Sequence, residues 1–406
     1  MKTPETTATS PGHTAGISLV LLLGAVTALG PFSTDMYLPA IPTMGRQLQA
    51  SPTAVQMTLA IFAIGSGLGQ LVFGPISDRF GRRWPALIGL VLYVLASAGC
   101  ALAANVESMI AFRLLQALGV CSGQVAARAL LADMYAPREL ARVSSLLSMI
   151  TLAAPVIGPL AGGYLFTAFG WRPLFWVLAL YGLIVTAACF FRLPETRTLE
   201  ARALSRGESA LASYVAVVRN WPLMQMGLAA ACGMCGLFVY IASSAHMLIE
   251  HFRVPPEQFG WYFAANSVGL FIGANFNRIL LKRREPADIL RWTCLIYLAT
   301  TVLVLGGAYM PQLGKFGVLV PLFLMIATFP AVMGNTQAIA QGYDRQRAGA
   351  VAAVLGALSA LLGGTAMIIS SAVSDGTPRA MAWTMVGGAT LCVLLFYGGP
   401  RQKTKA

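Results

Sequence analysis

In this chain of 406 residues, 57% of the side chains are hydrophobic and only 11% are charged. Soluble domains are about a quarter charged, so this composition excludes an ordinary water-soluble enzyme or binding domain and leaves a polytopic membrane protein. The net charge of +13 would suit a nucleic-acid partner only if it were gathered on one exposed domain; here the basic residues lie in short loops, and no nucleic acid is expected.

Residues 1–15 are polar and small and read as a disordered tail. The run that follows is too long for a signal-peptide core, so it counts as the first span. A bilayer-crossing helix needs about 20 mostly apolar residues. By that rule the spans are 16–40, 54–76, 84–104, 108–132, 141–168, 171–193, 221–249, 259–281, 289–309, 317–340, 348–373 and 379–399. The expected fold is an all-α membrane protein of twelve transmembrane helices. The longest polar interruption, 194–220, divides it into an N-terminal six-helix bundle (16–193) and a C-terminal one (221–399), followed by a short tail at 400–406.

Loop charge sets the orientation. With the N-terminus inside, inner loops and span ends hold 21 Lys or Arg, among them Arg345, and the outer side holds five. Positive residues stay on the cytoplasmic side, so both termini are expected there. Trp84, Trp171, Trp221, Trp261, Trp292 and Trp383 stand near span starts, where amphipathic rings favour the membrane interface.

Of 15 carboxylates, only Asp35 falls within a span, in "STDMYLPAIP" at the end of the first. Charges at membrane depth are costly, face cavities and take partners. Arg113 lies six residues into the fourth span, about 9 Å deep at 1.5 Å per residue, a level comparable to that of Asp35. Burial raises a carboxylate's proton affinity and a guanidinium lowers it, so this pair suits proton coupling. Arg128 is the other intramembrane cation.

Between the second and third spans lies "GPISDRFGRRW", in which Gly74 permits close packing, Gly81 a tight turn, and Asp78, Arg79 and Arg82 form a charge cluster. Arg82 is placed to pair with Asp133, and Asp78 to face the positive end of the eleventh span near Gly349. The fifth span carries "APVIGPLAGG", with Pro155 and Pro159 to kink it and Gly158, Gly162 and Gly163 to allow close approach. In the second half "GANFNRILLKRR" echoes the first loop without its Asp.

This Gly-x-x-x-Asp-Arg-x-Gly-Arg-Arg pattern resembles the signature loop of the major facilitator superfamily. "RLLQALG" around Arg113 resembles its fourth-span motif, and "APVIGPLAGG" the fifth-span motif of its antiporters. Together with "DMYLPAIP" and "PPEQFGWYFAANSVGLF", the chain looks like the Bcr/CflA branch of drug:proton antiporters, over nearly all of the first half and over spans seven and eight of the second. The resemblance implies two bundles rocking about a central site in a bacterial inner membrane, and export of small amphipathic compounds, of the antibiotic class, in exchange for protons. Proton-coupled metabolite uptake or efflux is the alternative on the same fold.

An intramembrane enzyme would need a cluster of catalytic groups at one depth, and none is seen. No phosphate-binding loop is present, so no nucleotide drives the cycle. Tyr37, Phe62, Tyr240 and Asn266 are the candidate cavity residues. His246 and His251 are five apart, off one helical face, and the seven cysteines, Cys232-x-x-Cys235 included, read as buried thiols. No metal or cofactor is expected. The partners are a small-molecule substrate, protons and the lipid bilayer, and the chain is expected to act as a monomer.

Overall fold

The first apolar run does not make one helix. In the computed structural model, which describes residues 16–200, 202, 209–344 and 346–398, α1 spans Ile17–Asp35 and stops. A single 3₁₀ turn follows at Leu38–Ala40, then the short α2 at Ile41–Gln47. Pro39 and Pro42 each lack an N–H and disfavour helical geometry in the residue before them, which breaks the expected span 16–40 just after its aspartate. The expected tails, 1–15 and 400–406, and Arg345 lie outside the described residues.

The remaining helices are α3 (Pro52–Phe80), α4 (Arg83–Leu102), α5 (Val106–Met134), α6 (Pro137–Phe169), α7 (Arg172–Arg192), α8 (Ala210–Arg219), α9 (Trp221–Ala245), α10 (Pro256–Leu280), α11 (Pro286–Ala308), α12 (Phe316–Gly342), α13 (Ala348–Ala372) and α14 (Arg379–Tyr397). A π-helical turn, His246–His251, extends α9. No strand occurs among the described residues. Among the described residues, eleven helices are long and apolar enough to cross a membrane. The one expected span that falls short is α10, which is diluted by Gln258, Asn266, Asn275, Asn277 and Arg278. The expected linker is not all coil, since α8 lies within it.

Two sets of helices show one contact scheme. In the first, α1 packs on α6, α4 on α5 and α7, and α3 on α5. In the second, α9 packs on α13, α11 on α12 and α14, and α10 on α12. Counting long helices in order, each pair recurs six helices later. The sets meet along two seams that obey the same rule, α3 on α13 and α6 on α10. Glycine makes both seams possible. A Cβ on Gly67 would stand 2.7 Å from Ala360 Cβ, and one on Gly260 2.7 Å from Leu160 Cα. Backbone therefore rests on backbone.

The outer circumference is apolar. Ile88, Leu95, Phe191 and Leu394 are all more than half exposed, as lipid-facing side chains are. Trp84, Trp221, Trp261, Trp292 and Trp383 also point outward. Trp171 departs from the expected interfacial ring: it is buried, and its indole N–H donates to Gln47 Oε1 at 2.7 Å, tying α7 to α2.

The two ends of the molecule differ. The face bearing the α3–α4 turn is strongly basic, and a cavity of about 790 Å³ opens there between the ends of α3, α5 and α13 under the linker helix α8. At the opposite face the sets are shut. The Leu38–Ala40 turn packs on α9 and α10, and a Cβ on Gly163 would stand 3.2 Å from the Pro256 carbonyl. Thr53 Oγ1 donates to the Ser371 carbonyl at 3.4 Å.

Candidate transport pathway and its gates

Arg113 is fully buried near the middle of the first set. Its Nε donates to the Thr58 carbonyl (3.2 Å), and Nη1 donates to the Ser33 carbonyl (2.8 Å) and to Gln116 Oε1 (2.6 Å). The guanidinium lies 4.7 Å from the ring centre of Tyr37 and 4.3 Å from that of Phe62. Two π-faces and three oxygens thus do for this cation what a carboxylate would otherwise do. The network continues through Gln116 Nε2 to Ser97 Oγ (2.7 Å), and it includes Ser33 Oγ with the Tyr93 hydroxyl (2.8 Å) and the Tyr37 hydroxyl with Thr58 Oγ1 (3.0 Å). It joins α1, α3, α4 and α5.

Asp35 is also buried, but no ion pair links it to Arg113. Its Oδ1 accepts from Thr34 Oγ1 at 3.2 Å. It faces α6, where a Cβ on Gly158 would stand 3.4 Å from its own Cβ, and it acts electrostatically on Tyr240 of α9. Tyr240 stacks on Phe263 with ring centres 5.3 Å apart, and its hydroxyl accepts from Asn266 Nδ2 at 3.1 Å. The structure therefore sets Asp35 against Gly158 of α6, within electrostatic range of Tyr240, and puts Tyr37 and Phe62 on Arg113. In this conformation none of the four candidate cavity residues lines the open cavity.

The fifth-span motif supplies the floor beneath Asp35. A Cβ on Gly162 would lie 1.8 Å from the Met36 carbonyl oxygen, so only glycine lets α1 end where it does. Pro159 has no N–H to give the carbonyl four residues earlier, which is that of Pro155. Ser267 Oγ of α10, which donates to the Phe263 carbonyl of its own helix at 2.9 Å, lies 3.5 Å from this carbonyl across the seam. Sequence reading missed Ser267; only the proline that frees its acceptor was visible.

On the basic face, α3 ends at Gly81, whose φ of +96° suits glycine. Arg82 then turns inward and is almost fully buried. Its Nη1 donates to Asp78 Oδ1 (2.7 Å) and Ser77 Oγ (3.2 Å), and its Nε donates to Asp133 Oδ2 (3.1 Å). Asp78 does not sit on the start of α13. The open cavity lies between them, with Gly349 and Arg347 on its far wall. Gly74 lies beneath Tyr214 of α8, whose hydroxyl donates to the Leu71 carbonyl at 3.0 Å. Arg79 and Arg128 line the cavity, Arg128 with no ion pair among the described residues.

Glu195, just beyond α7, is the residue that sequence reading passed over. Its Oε1 accepts from the backbone N–H of Arg82 (2.9 Å) and of Arg197 (3.0 Å), its Oε2 from that of Arg83 (3.3 Å), and Arg202 pairs with it at 3.0 Å. Partial burial would raise its pKa, but the three backbone donors and Arg202 outweigh this and hold it below the usual carboxylate range. The stabilisation is therefore present above the ordinary glutamate pKa and is lost as pH falls through the lowered one. Glu195→Gln keeps the shape and loses the charge. Trypsin at neutral pH should cut the variant after Arg197 and Arg202 roughly fivefold faster than wild type, about 1 kcal/mol for a group a quarter exposed. An acid-active protease should nick wild type there only below the ordinary carboxylate range.

Paired bundles of membrane helices, meeting along two glycine seams and enclosing a cavity that opens on one face, define a transporter rather than an enzyme. The chain matches the Major Facilitator Superfamily over residues 23–366, and it belongs to that family. It is 32% identical to the chloramphenicol resistance protein of Pseudomonas aeruginosa over 90% of this chain and 86% of that one. It is 28% identical to the bicyclomycin resistance protein homolog of Haemophilus influenzae, over 93% and 95% of the two chains. Among solved structures, the xylose transporter XylE of E. coli in a partially occluded inward-open conformation superposes with a TM-score of 0.75, covering 96% and 99% of the two chains at 13% identity, which bears on the fold alone.

Proposed function

We propose that the chain is a twelve-span antiporter of the bacterial inner membrane that exports small amphipathic compounds, of the antibiotic class, in exchange for protons. α10 counts among the twelve spans: Asn266 and Asn277 are buried, on Tyr240 of α9 and Asn335 of α12, while Gln258, Asn275 and Arg278 are exposed. The six helices before the linker and the six after it act as two rocking bundles, with both termini and the basic face cytoplasmic. The names of the two resistance relatives support the cargo class. The observation that carries the coupling is the buried Asp35 at the end of α1, set against Gly158 of α6 with no cation paired to it among the described residues.

A carboxylate there has two settings. With the outer face closed it is shut in against α6, out of reach of water. When the bundles part on the outer side, water reaches it. Cargo and proton then compete for one region: the open cytoplasmic cavity admits cargo, and proton uptake from outside returns the carrier. Arg113 serves as a positioning residue, gripping the Ser33 carbonyl two residues before Asp35. The Asp78–Arg82–Asp133 cluster holds the α3–α4 turn in shape, and the cytoplasmic closure it forms with the start of α13 is broken in the conformation described.

The test is proton flux in energised inside-out vesicles. Chloramphenicol added to wild type is expected to collapse part of the pH gradient, and Asp35→Asn should lose at least about tenfold of that response, the equivalent of about 1.4 kcal/mol. Equal collapse in both would move the proton site away from Asp35. No collapse with any of a panel of neutral and cationic antibiotics would reject drug export and favour a metabolite as cargo.

A further inference from the structure

The closed outer face contains a second cluster of ionisable groups that the mechanism above does not use. His246 opens the π-helical turn after α9, and its Nδ1 is paired with Glu250 one turn on. Glu250 in turn lies 3.9 Å from Arg46 of α2, across the junction of the bundles. The other imidazole nitrogen, Nε2, is buried and has no partner. It lines a cavity of only about 10 Å³, shared with Gln56 of α3, Ser243 of α9, and Ser370, Ser374 and Thr377 around the end of α13. Gln56 Oε1 is likewise buried and without a partner.

The chemistry of that pairing is unbalanced in one direction. A neutral imidazole that gives its Nδ1 proton to Glu250 offers only a lone pair at Nε2. Gln56 Oε1 is also an acceptor, so two acceptors from opposite bundles border one cavity large enough for about a single water. A proton added at Nε2 turns one of them into a donor. It also strengthens the bond to the Glu250 carboxylate by making it charge-assisted.

From this geometry we propose that His246 is a proton-binding site whose occupation latches the outer face shut. The inference rests on the alternating-access reading given above. It adds a proton site on the exit side, distinct from Asp35. The groups around the imidazole allow it. Glu250 is the acid on its own turn, and His251 there is turned edge-on to Phe252. Arg46 comes from α2, and Glu257 is exposed on α10. Asp375 is taken by Thr377, and Arg379 lies over the Tyr309 ring. From α3 and α13 come only Gln56 and the serines, with no competing charge. Histidine is the side chain whose charge changes between about pH 5 and 8, the range an outer surface meets.

The experiment measures spin-label distances across the outer face, without cargo, so it does not depend on drug export. Labels at Gln49→Cys and Val373→Cys flank the junction, and all seven native cysteines are buried. In wild type, long separations should gain population as pH is raised and the imidazole gives up its added proton. His246→Gln should abolish that step. Gln56→Leu, which leaves the imidazole but removes the acceptor on the facing bundle, should shrink the step or abolish it. Asp35→Asn should retain it. A step that survives in His246→Gln, that vanishes in Asp35→Asn, or that is undiminished in Gln56→Leu would overturn the proposal. So would a wild-type distance distribution that does not respond to pH.

Discussion

Gly162→Ala is expected to reduce transport by at least about tenfold, about 1.4 kcal/mol, although it adds only one methyl group. The reason is the 1.8 Å between the new Cβ and the Met36 carbonyl oxygen. That oxygen belongs to backbone, so it cannot swing aside. Either α6 backs away from α1 or the α1 terminus lifts, and each displaces Asp35 from Gly158 and Tyr240. Overpacking of this kind costs about 1–3 kcal/mol in stability. The control is Gly387→Ala in α14, where a Cβ would meet nothing within 4 Å. Alanine there should be neutral or slightly stabilising, because it is the better helix former. Thermal unfolding in detergent together with proton flux per unit of folded protein checks both. A Gly162→Ala carrier with wild-type flux would show that the end of α1 does not need this floor.

Arg113→Met is expected to be more damaging still. It leaves the Ser33 carbonyl in the last turn of α1 and Gln116 Oε1 without their donor, each stranded buried acceptor costing about 1–3 kcal/mol, and takes the second donor from the Thr58 carbonyl. Arg113→Lys separates the two roles of the residue. It keeps the charge between Tyr37 and Phe62, but an ammonium cannot span three acceptors with a planar fork. Lysine should restore part of the folded yield and little of the proton flux. Full activity in the lysine variant would mean that charge alone matters at this position. Yield by size-exclusion chromatography and flux in vesicles separate the outcomes.

Much of this architecture was legible in the chain because a bilayer imposes it. Helices must be long and apolar, and loop charge sorts by side, so span positions follow from composition. The break after Asp35 was written in Pro39 and Pro42. The polarity of α10 was present too, in its asparagines, two of which, Asn266 and Asn277, are buried with hydrogen-bond partners on α9 and α12. What depth could not give was direction around a helix. Asp35 and Arg113 lie at similar levels, and Arg113 does reach α1, but it reaches the carbonyl of Ser33. Two residues along a helix turn a side chain by about 200°, so Ser33 and Asp35 look to opposite sides. Ser33 faces α4 and α5; Asp35 faces α6 and α9. Glu195 was hidden for a different reason. Its partners are backbone N–H groups, and no side-chain pattern advertises them.

The seams deserve comparison with a bearing. Where Gly67 meets α13 and Gly260 meets α6, backbone lies close to backbone, and Ile64 and Gln70 of α3 seat on Gly364 and Gly356 of α13. These contacts belong to the pivot and not to either opening, so the seams favour neither direction. Resistance then sits at the two rims, in the ion pairs and hydrogen bonds that must part before the bundles tilt. A substitution in a seam should slow outward and return strokes alike. One at a rim should slow only the stroke that opens that rim.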